Sequence, residues 1–116
     1  MVNAQEWLDE NYPKNGVCKI ENESYQVNNF GKKRKQIREL DIYSKNLESH
    51  LDLRNFINLE ELNFFDNQIS SLDLSKNTKL TFLNCSWNLL TDIGFLRRVP
   101  CPEKLTSLIS NSSFLR

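Results

Sequence analysis

The sequence predicts an α/β fold: a short solenoid with a parallel sheet on its concave face and a helical cap at its N-terminus. Three observations support this prediction. An apolar pattern recurs about every 21 residues, each copy contains the alternation typical of a strand, and the opening segment has helical spacing. The 116 residues amount to one domain by length.

The predicted N-terminal cap occupies residues 1–36. Asn3 and Glu6 have capping-box spacing, with Asn in place of the usual Ser or Thr. Ala4, Trp7 and Leu8 then fall on one helical face, and Pro13 ends the helix. We therefore expect a helix at about residues 4–11 that covers the first repeat, followed by a loop or a short hairpin.

Three repeats are predicted over residues 37–104. The copies begin at Ile37, Leu59 and Leu80, which are 22 and 21 positions apart, and each fits the pattern L-x-x-L-x-L-x-x-N-x-L. Leu51-Asp52-Leu53 recurs as Leu72-Asp73-Leu74 in the second half of the unit. An incomplete terminal repeat is predicted over residues 105–116, where the pattern starts at Leu105 and then fails.

These residues resemble the leucine-rich-repeat superfamily, and their phrasing resembles the repeats of about 21 residues found in bacterial internalin-type proteins. The segments Asn3–Pro13 and Gly31–Lys35 are similar to leucine-rich-repeat proteins of arbuscular mycorrhizal fungi, which are largely uncharacterised. The resemblance implies a solenoid that binds another macromolecule on its concave strand face.

Within each copy, the pattern L-x-L predicts a short strand whose leucine-type residues face inward, because strand side chains alternate between the two faces. Asn67 and Asn88 are expected to close the turns that follow, since an amide can both donate to and accept from the backbone. Lys45 stands at this place in the first copy and can only donate. We therefore expect the first turn to be built differently, with help from Asn46.

The outward strand positions are the predicted site for a protein partner of unknown identity. Aromatic side chains are costly to leave in water and are enriched at binding hot spots, although some could fold back onto the domain. The predicted partner-binding residues are Glu39, Asp41, Tyr43, Glu61, Asn63, Phe65, Phe82, Asn84 and Trp87.

The basic segment 32–38 suggests an alternative, a nuclear or nucleic-acid-associated protein. It contains Lys32, Lys33, Arg34, Lys35 and Arg38. A solvated turn before the first strand explains the same residues, and the zero net charge makes nucleic acid an unfavoured partner.

No catalytic residues, cofactors or metal ligands are predicted. His50 is the only histidine, no phosphate-binding loop or nucleophile motif is present, and the three cysteines lack C-x-x-C spacing. The chain shows neither a signal peptide nor a membrane-spanning stretch, so we expect a cytoplasmic signalling or adaptor protein, with the nucleus as the alternative. We also expect weak end-to-end self-association through the edge of the last repeat.

Overall fold

The chain alternates between two parallel sheets and contains one α-helix in the part that the structure describes. The structure is a computed structural model that describes residues 1–21 and 27–90 and the backbone of one later strand. In chain order the elements are β1 Val2–Asn3, α1 Ala4–Asn11, a 3₁₀ helix Arg34–Gln36, β2 Glu39–Asp41, β3 Leu47–Asp52, β4 Glu61–Asn63, β5 Gln68–Asp73, β6 Phe82–Asn84 and β7 Ser107–Ile109.

The first strand of each repeat joins a four-stranded sheet in the order β2-β4-β6-β7. Leu40, Leu62 and Leu83 pair with one another across this sheet, and all three are fully buried. The strand at β7 continues the register, with Leu108 opposite Leu83, which is the alignment that the incomplete repeat predicts. Equivalent residues of successive repeats therefore lie side by side.

Inward residues of the strands form a continuous core, because each strand buries every second side chain and its neighbour covers the same face. Ile42, Phe64 and Cys85, the second inward position of each copy, are completely inaccessible to solvent. This burial follows from the period of two, which placed the same residues inside at the level of the sequence.

Helix α1 begins where Asn3 accepts a hydrogen bond from the backbone N–H of Glu6 at 2.9 Å, which satisfies one of the unpaired donors of the first turn. Its face carrying Ala4 and Leu8 is buried, and Trp7 packs partly buried against the same core. Just before the helix, β1 pairs with β3, with Val2 opposite Leu47. The N-terminus thus adds a strand as well as a helix, and only the helix was predicted.

A second sheet, in the order β1-β3-β5, was also absent from the sequence prediction. In β3 the exposed residues Ser49 and His50 lie between the buried Leu47 and Leu51, which breaks the alternation that identifies a strand. The register against β5 shifts between Ser49 and His50, and Ser49 has a φ of 76°. A bulge of this kind adds a residue and hides the strand from pattern analysis.

Phe56 and Asn77 occupy equivalent places in successive repeats but do different things. Phe56 packs edge-on against Tyr12 of the N-terminal segment at a ring distance of 6.1 Å. Asn77 is buried and donates through Nδ2 to the carbonyls of Leu53 at 3.0 Å and Phe56 at 3.1 Å. The first repeat therefore meets the cap through an aromatic ring, and the second meets the first through an amide.

Some predictions fall on residues that the structure does not describe. These are the second half of the third repeat over 91–104 and most of the segment 105–116, including Cys101. In the residues that are described, no helix is long and apolar enough to cross a bilayer.

Candidate partner-binding face

The outward positions of the four-stranded sheet form two rows of side chains across β2, β4 and β6. One row contains Glu39, Glu61 and Phe82, and the other contains Asp41, Asn63 and Asn84, which are in register from strand to strand. Both glutamates are exposed, and the other four side chains are half-buried. The structure thus brings six of the nine predicted partner-binding residues onto one face.

Glu39 and Glu61 lie directly opposite each other on neighbouring strands, an arrangement that is destabilising when both carboxylates are charged. Burial raises the pKa of Glu61, and the charge of Glu39 and a hydrogen bond to it raise that pKa further. Within residues 1–21 and 27–90, no lysine or arginine forms an ion pair with either glutamate. The negative potential of this row is therefore left for solvent or a ligand to neutralise.

A depression of about 430 Å³ lies on this face. Its walls combine the strand residues with Val27, which the loop before β2 brings over the sheet. In the same loop the buried Asn29 donates through Nδ2 to the carbonyl of Glu39 at 2.8 Å, which occupies a backbone acceptor on β2. Sequence analysis missed Val27 and Asn29, because their segment has no periodic pattern that would place it against a strand.

The side chains of Asn63 and Asn84 are partly committed to their own turns. Each accepts a hydrogen bond, from the backbone N–H of Phe65 and of Ser86 respectively, at 3.1 Å in both cases. Such side-chain-to-backbone bonds fix the chain as it leaves a strand. These asparagines therefore present mainly their amide N–H groups to a ligand on the face.

The four aromatic side chains do not form one stacked cluster. Phe82 belongs to the row of glutamates, whereas Tyr43 and Phe65 follow their strands and Trp87 lies one position further along the turn. Among the described residues, the ring pairs in contact are Trp7–Tyr12 and Tyr12–Phe56. Trp87 is the most open of the four, with 60% of its surface exposed, and Tyr43 is 39% exposed.

The seventh position of the third repeat departs from the outward assignment that the sequence predicted. Ser86 stands there and is 5% exposed, whereas the equivalent Tyr43 reaches solvent. Its backbone carbonyl accepts from the N–H of Asp66 at 3.0 Å, which holds the third turn against the second. A small side chain allows this close approach, so the aromatic column ends at Phe65.

Asn67 and Asn88 bond to two neighbouring repeats each. Asn67 donates to the carbonyls of Ile42 and Phe64, and Asn88 donates to those of Phe64 and Cys85. Asn88 also accepts from the backbone N–H of Ile69 at 3.0 Å. The turn ladder therefore joins consecutive repeats, rather than closing each turn separately as its sequence pattern suggested.

The basic segment is not uniformly solvated, which corrects one expectation for residues 32–38. Arg34 is 4% exposed, and its Nε donates to the carbonyl of Tyr12 at 2.6 Å while Nη2 pairs with Asp9 at 2.8 Å. Its guanidinium also lies 5.0 Å from the ring centre of Phe56. Arg34 therefore fastens the N-terminal cap to the first repeat.

The described thiols lie in the interior. Cys18 and Cys85 are both free and buried. Burial raises the pKa of the Cys85 thiol to about 12, and it also raises the pKa of Cys18. At neutral pH both are therefore protonated, which suits packing rather than nucleophilic chemistry. In residues 1–21 and 27–90, no group of three or more His, Cys, Asp or Glu side chains is arranged to hold a metal ion.

Comparison with known proteins agrees with the repeat architecture. Residues 57–98 match the family model described as leucine rich repeats in two copies, which spans the beginnings of the second and third repeats at Leu59 and Leu80. No curated protein and no solved structure matches the chain, so the resemblance to fungal proteins remains a prediction. The parallel strands and the matched family model together support a leucine-rich-repeat protein, a class that typically mediates protein–protein interaction without catalysis.

Proposed function

We propose that this chain is a non-catalytic protein-binding module and that its partner docks on the outward face of the four-stranded sheet. In this proposal the alternating strands form a solenoid and the four-stranded sheet is its concave side. The observation that carries the proposal is the row of Glu39, Glu61 and Phe82, in which two like charges and an aromatic ring lie in register without an ion-pairing cation in the described residues.

The chemistry of the row favours a partner that presents a lysine or arginine. A cation placed between Glu39 and Glu61 would relieve their repulsion, and its aliphatic stem could pack on Phe82. Trp87 and Tyr43, the most exposed of the predicted aromatic residues, would supply apolar contact at the margin. A folded domain that keeps like charges together without compensation is typical of a binding site.

Affinity capture from the native cell would test this proposal. The wild-type chain should retain a partner that the Phe82→Ser/Trp87→Ser variant loses, while circular dichroism and melting temperature stay near wild type. A matched control is Phe30→Ser/Ile57→Ser, because these two side chains are exposed, at 53% and 51%, but belong to neither row of the face. The control should keep the partner.

Two results would contradict the proposal. If both double variants lose the partner equally, general surface hydrophobicity and not this face binds it. If melting collapses in Phe82→Ser/Trp87→Ser alone, these rings serve the core. A photoreactive residue in place of Asn63 should crosslink to the partner, whereas one in place of Ser70 on β5 should not.

We place the protein in the cytoplasm and expect weak end-to-end self-association, and both remain proposals. In the described part of the four-stranded sheet, β7 is the last strand, and a strand edge offers backbone groups to a second chain. Sedimentation over a range of concentrations should show association that Leu108→Glu suppresses. A single species at every concentration would argue against it.

A further inference from the structure

The fold brings together lysines that are distant in sequence, on a surface separate from the strand face. Lys14 follows α1, whereas Lys33 and Lys35 flank Arg34 before β2. All three lysines are exposed, and together with Asn15, Gly16, Arg34 and Asn55 they line a depression of about 410 Å³. A linear basic motif has therefore become one wall of a concave site.

Backbone hydrogen bonds hold the two lysine-bearing segments in place. Cys18 donates its N–H to the carbonyl of Lys32 at 2.9 Å, and its own carbonyl accepts from Gly31 at 3.0 Å. A turn closes when the N–H of Gly16 donates to the carbonyl of Pro13 at 3.3 Å. The lysines therefore extend from a fixed scaffold, which lowers the entropic cost of binding a ligand between them.

The other wall is fixed from the neighbouring repeat. Asn58 donates through Nδ2 to the carbonyl of Lys35 at 2.7 Å, and Asn58 itself accepts from Lys79 at 2.6 Å. Arg34 lies behind the depression, locked by Tyr12 and Asp9. Its charge cannot move away from the site.

Positive charge in this depression is not cancelled locally. Its lining contains four cationic side chains and no carboxylate. The nearest acids are committed elsewhere, because Asp9 pairs with Arg34 at 2.8 Å and Asp52 pairs with Arg54 at 2.6 Å. Among residues 1–21 and 27–90, no carboxylate forms an ion pair with Lys14, Lys33 or Lys35.

We propose that the depression formed by Lys14, Asn15, Gly16, Lys33, Lys35 and Asn55 binds a phosphomonoester group. Three ammonium groups around one concavity suit a compact dianion, and a phosphomonoester carries about −1.5 to −2 charges at neutral pH. The side-chain amides of Asn15 and Asn55 can donate to its remaining oxygens. The volume falls within the range of small-ligand sites, roughly 300–1,000 Å³.

A phosphorylated side chain and a free phosphorylated small molecule share this chemistry. An extended nucleic acid is less suited, because Lys32 and Arg38 line a different depression that contains Glu39, and no continuous basic track joins the two. The site does not depend on the proposed partner face, so failure of one proposal leaves the other standing.

Titration of the full chain with O-phosphoserine, followed by backbone amide NMR, would test the site. We expect saturable shifts at Lys14, Gly16, Lys33 and Asn55, with a Kd at or below about 1 mM. Inorganic phosphate should shift the same amides, and serine should shift none. A phosphoserine peptide that binds more tightly than O-phosphoserine would identify a protein source, and equal affinities would identify a small molecule.

Charge reversal distinguishes a site from general attraction. Lys33→Glu/Lys35→Glu should weaken O-phosphoserine binding about tenfold or more, whereas Lys19→Glu/Lys76→Glu, with the same change in net charge at exposed positions outside the depression, should weaken it less than about twofold. Equal weakening by both variants would overturn the proposal. A single-stranded oligonucleotide that binds while O-phosphoserine does not would also overturn it.

Discussion

The side-chain oxygen of Asn67 accepts a hydrogen bond from the backbone N–H of Lys45 at 3.1 Å, so a residue of the second repeat completes the turn of the first. Lys45 stands where the first repeat lacks the asparagine of its neighbours. The same oxygen also accepts from the N–H of Leu47 at 3.0 Å. Sequence analysis assigned this help to Asn46, and the structure shows that it comes from the adjacent repeat.

This arrangement predicts unequal costs along the turn ladder. Asn67→Leu would strand two N–H groups and two carbonyls of the first and second turns, so we expect a loss of about 3 kcal/mol or more in the free energy of unfolding. Asn88→Leu should cost about 1–3 kcal/mol, because its oxygen accepts from one described N–H, that of Ile69. Urea unfolding would measure both.

The exposed Asn55→Leu is the matched control for these two substitutions and should unfold at nearly the wild-type urea concentration. Lys45→Asn should be neutral or stabilising, since Asn67 already satisfies the turn. Equal midpoints for Asn67→Leu and Asn55→Leu would contradict the assignment.

Trp87 carries backbone strain that a substitution pair can isolate. Its φ is 60°, a region that side chains with a Cβ rarely adopt and glycine adopts freely. We expect Trp87→Gly to be more stable than Trp87→Ala by about 1 kcal/mol, because both remove the ring and only glycine relieves the strain. At the exposed Leu89, whose φ is not positive, alanine should be the more stable member of the pair. Thermal unfolding of the four variants would decide.

The glutamate row predicts a stabilising substitution with a defined pH dependence. Since burial and Glu39 raise the folded-state pKa of Glu61, ionising Glu61 costs more in the folded protein than in the unfolded chain. Glu61→Gln should therefore unfold at a higher denaturant concentration than wild type at neutral pH. Its advantage should appear as pH rises past the ordinary value of 4.5 and level off above the raised pKa.

Glu48→Gln, a half-buried position on the other sheet, provides the control for this pH series and should show no such gain. If Glu61→Gln is no more stable than wild type at neutral pH, the two carboxylates do not repel each other in the folded protein.

The ion pair between Asp9 and Arg34 predicts the opposite dependence. Burial of Asp9 would raise its pKa, but the hydrogen bonds from Arg34 and Gln5 outweigh this effect and hold the pKa below 3.8. Wild type should therefore be more stable than Asp9→Asn at neutral pH, by less than about 1 kcal/mol because this carboxylate is 40% exposed. The difference should shrink as pH falls through the lowered pKa.

Denaturant midpoints of wild type and Asp9→Asn, measured from about pH 6 downward, would follow this loss. Glu10→Gln on the exposed side of the same helix is the comparison variant. A constant gap between wild type and Asp9→Asn at all pH values would show that packing, and not charge, distinguishes them.

Local patterns were enough to predict the inward residues. Leu40, Leu62 and Leu83 are buried because a strand turns every second side chain to one face, which is a property of neighbouring residues. The same reasoning placed Glu39 and Glu61 on the outward face. The cap helix was also readable, because Asn3 and Glu6 are three residues apart and interact within one turn.

Other features depended on contacts between distant parts of the chain. The basic run around Arg34 looked like a solvated turn, yet Arg34 is buried by Tyr12 and Asp9, which lie 22 and 25 residues away. The bulge at Ser49 interrupts alternation, so β3 became visible only through its pairing with β5.

The sequence by itself determined the repeat period, the inward face of each strand and the capping helix, because these follow from the spacing of residues along a regular backbone. Tertiary structure alone decided which repeat completes the turn at Lys45, where the charge of Arg34 is held, and that Lys14 meets Lys33 and Lys35 around one depression. Those outcomes depend on hydrogen bonds and burial across 20 or more residues, which periodicity does not encode.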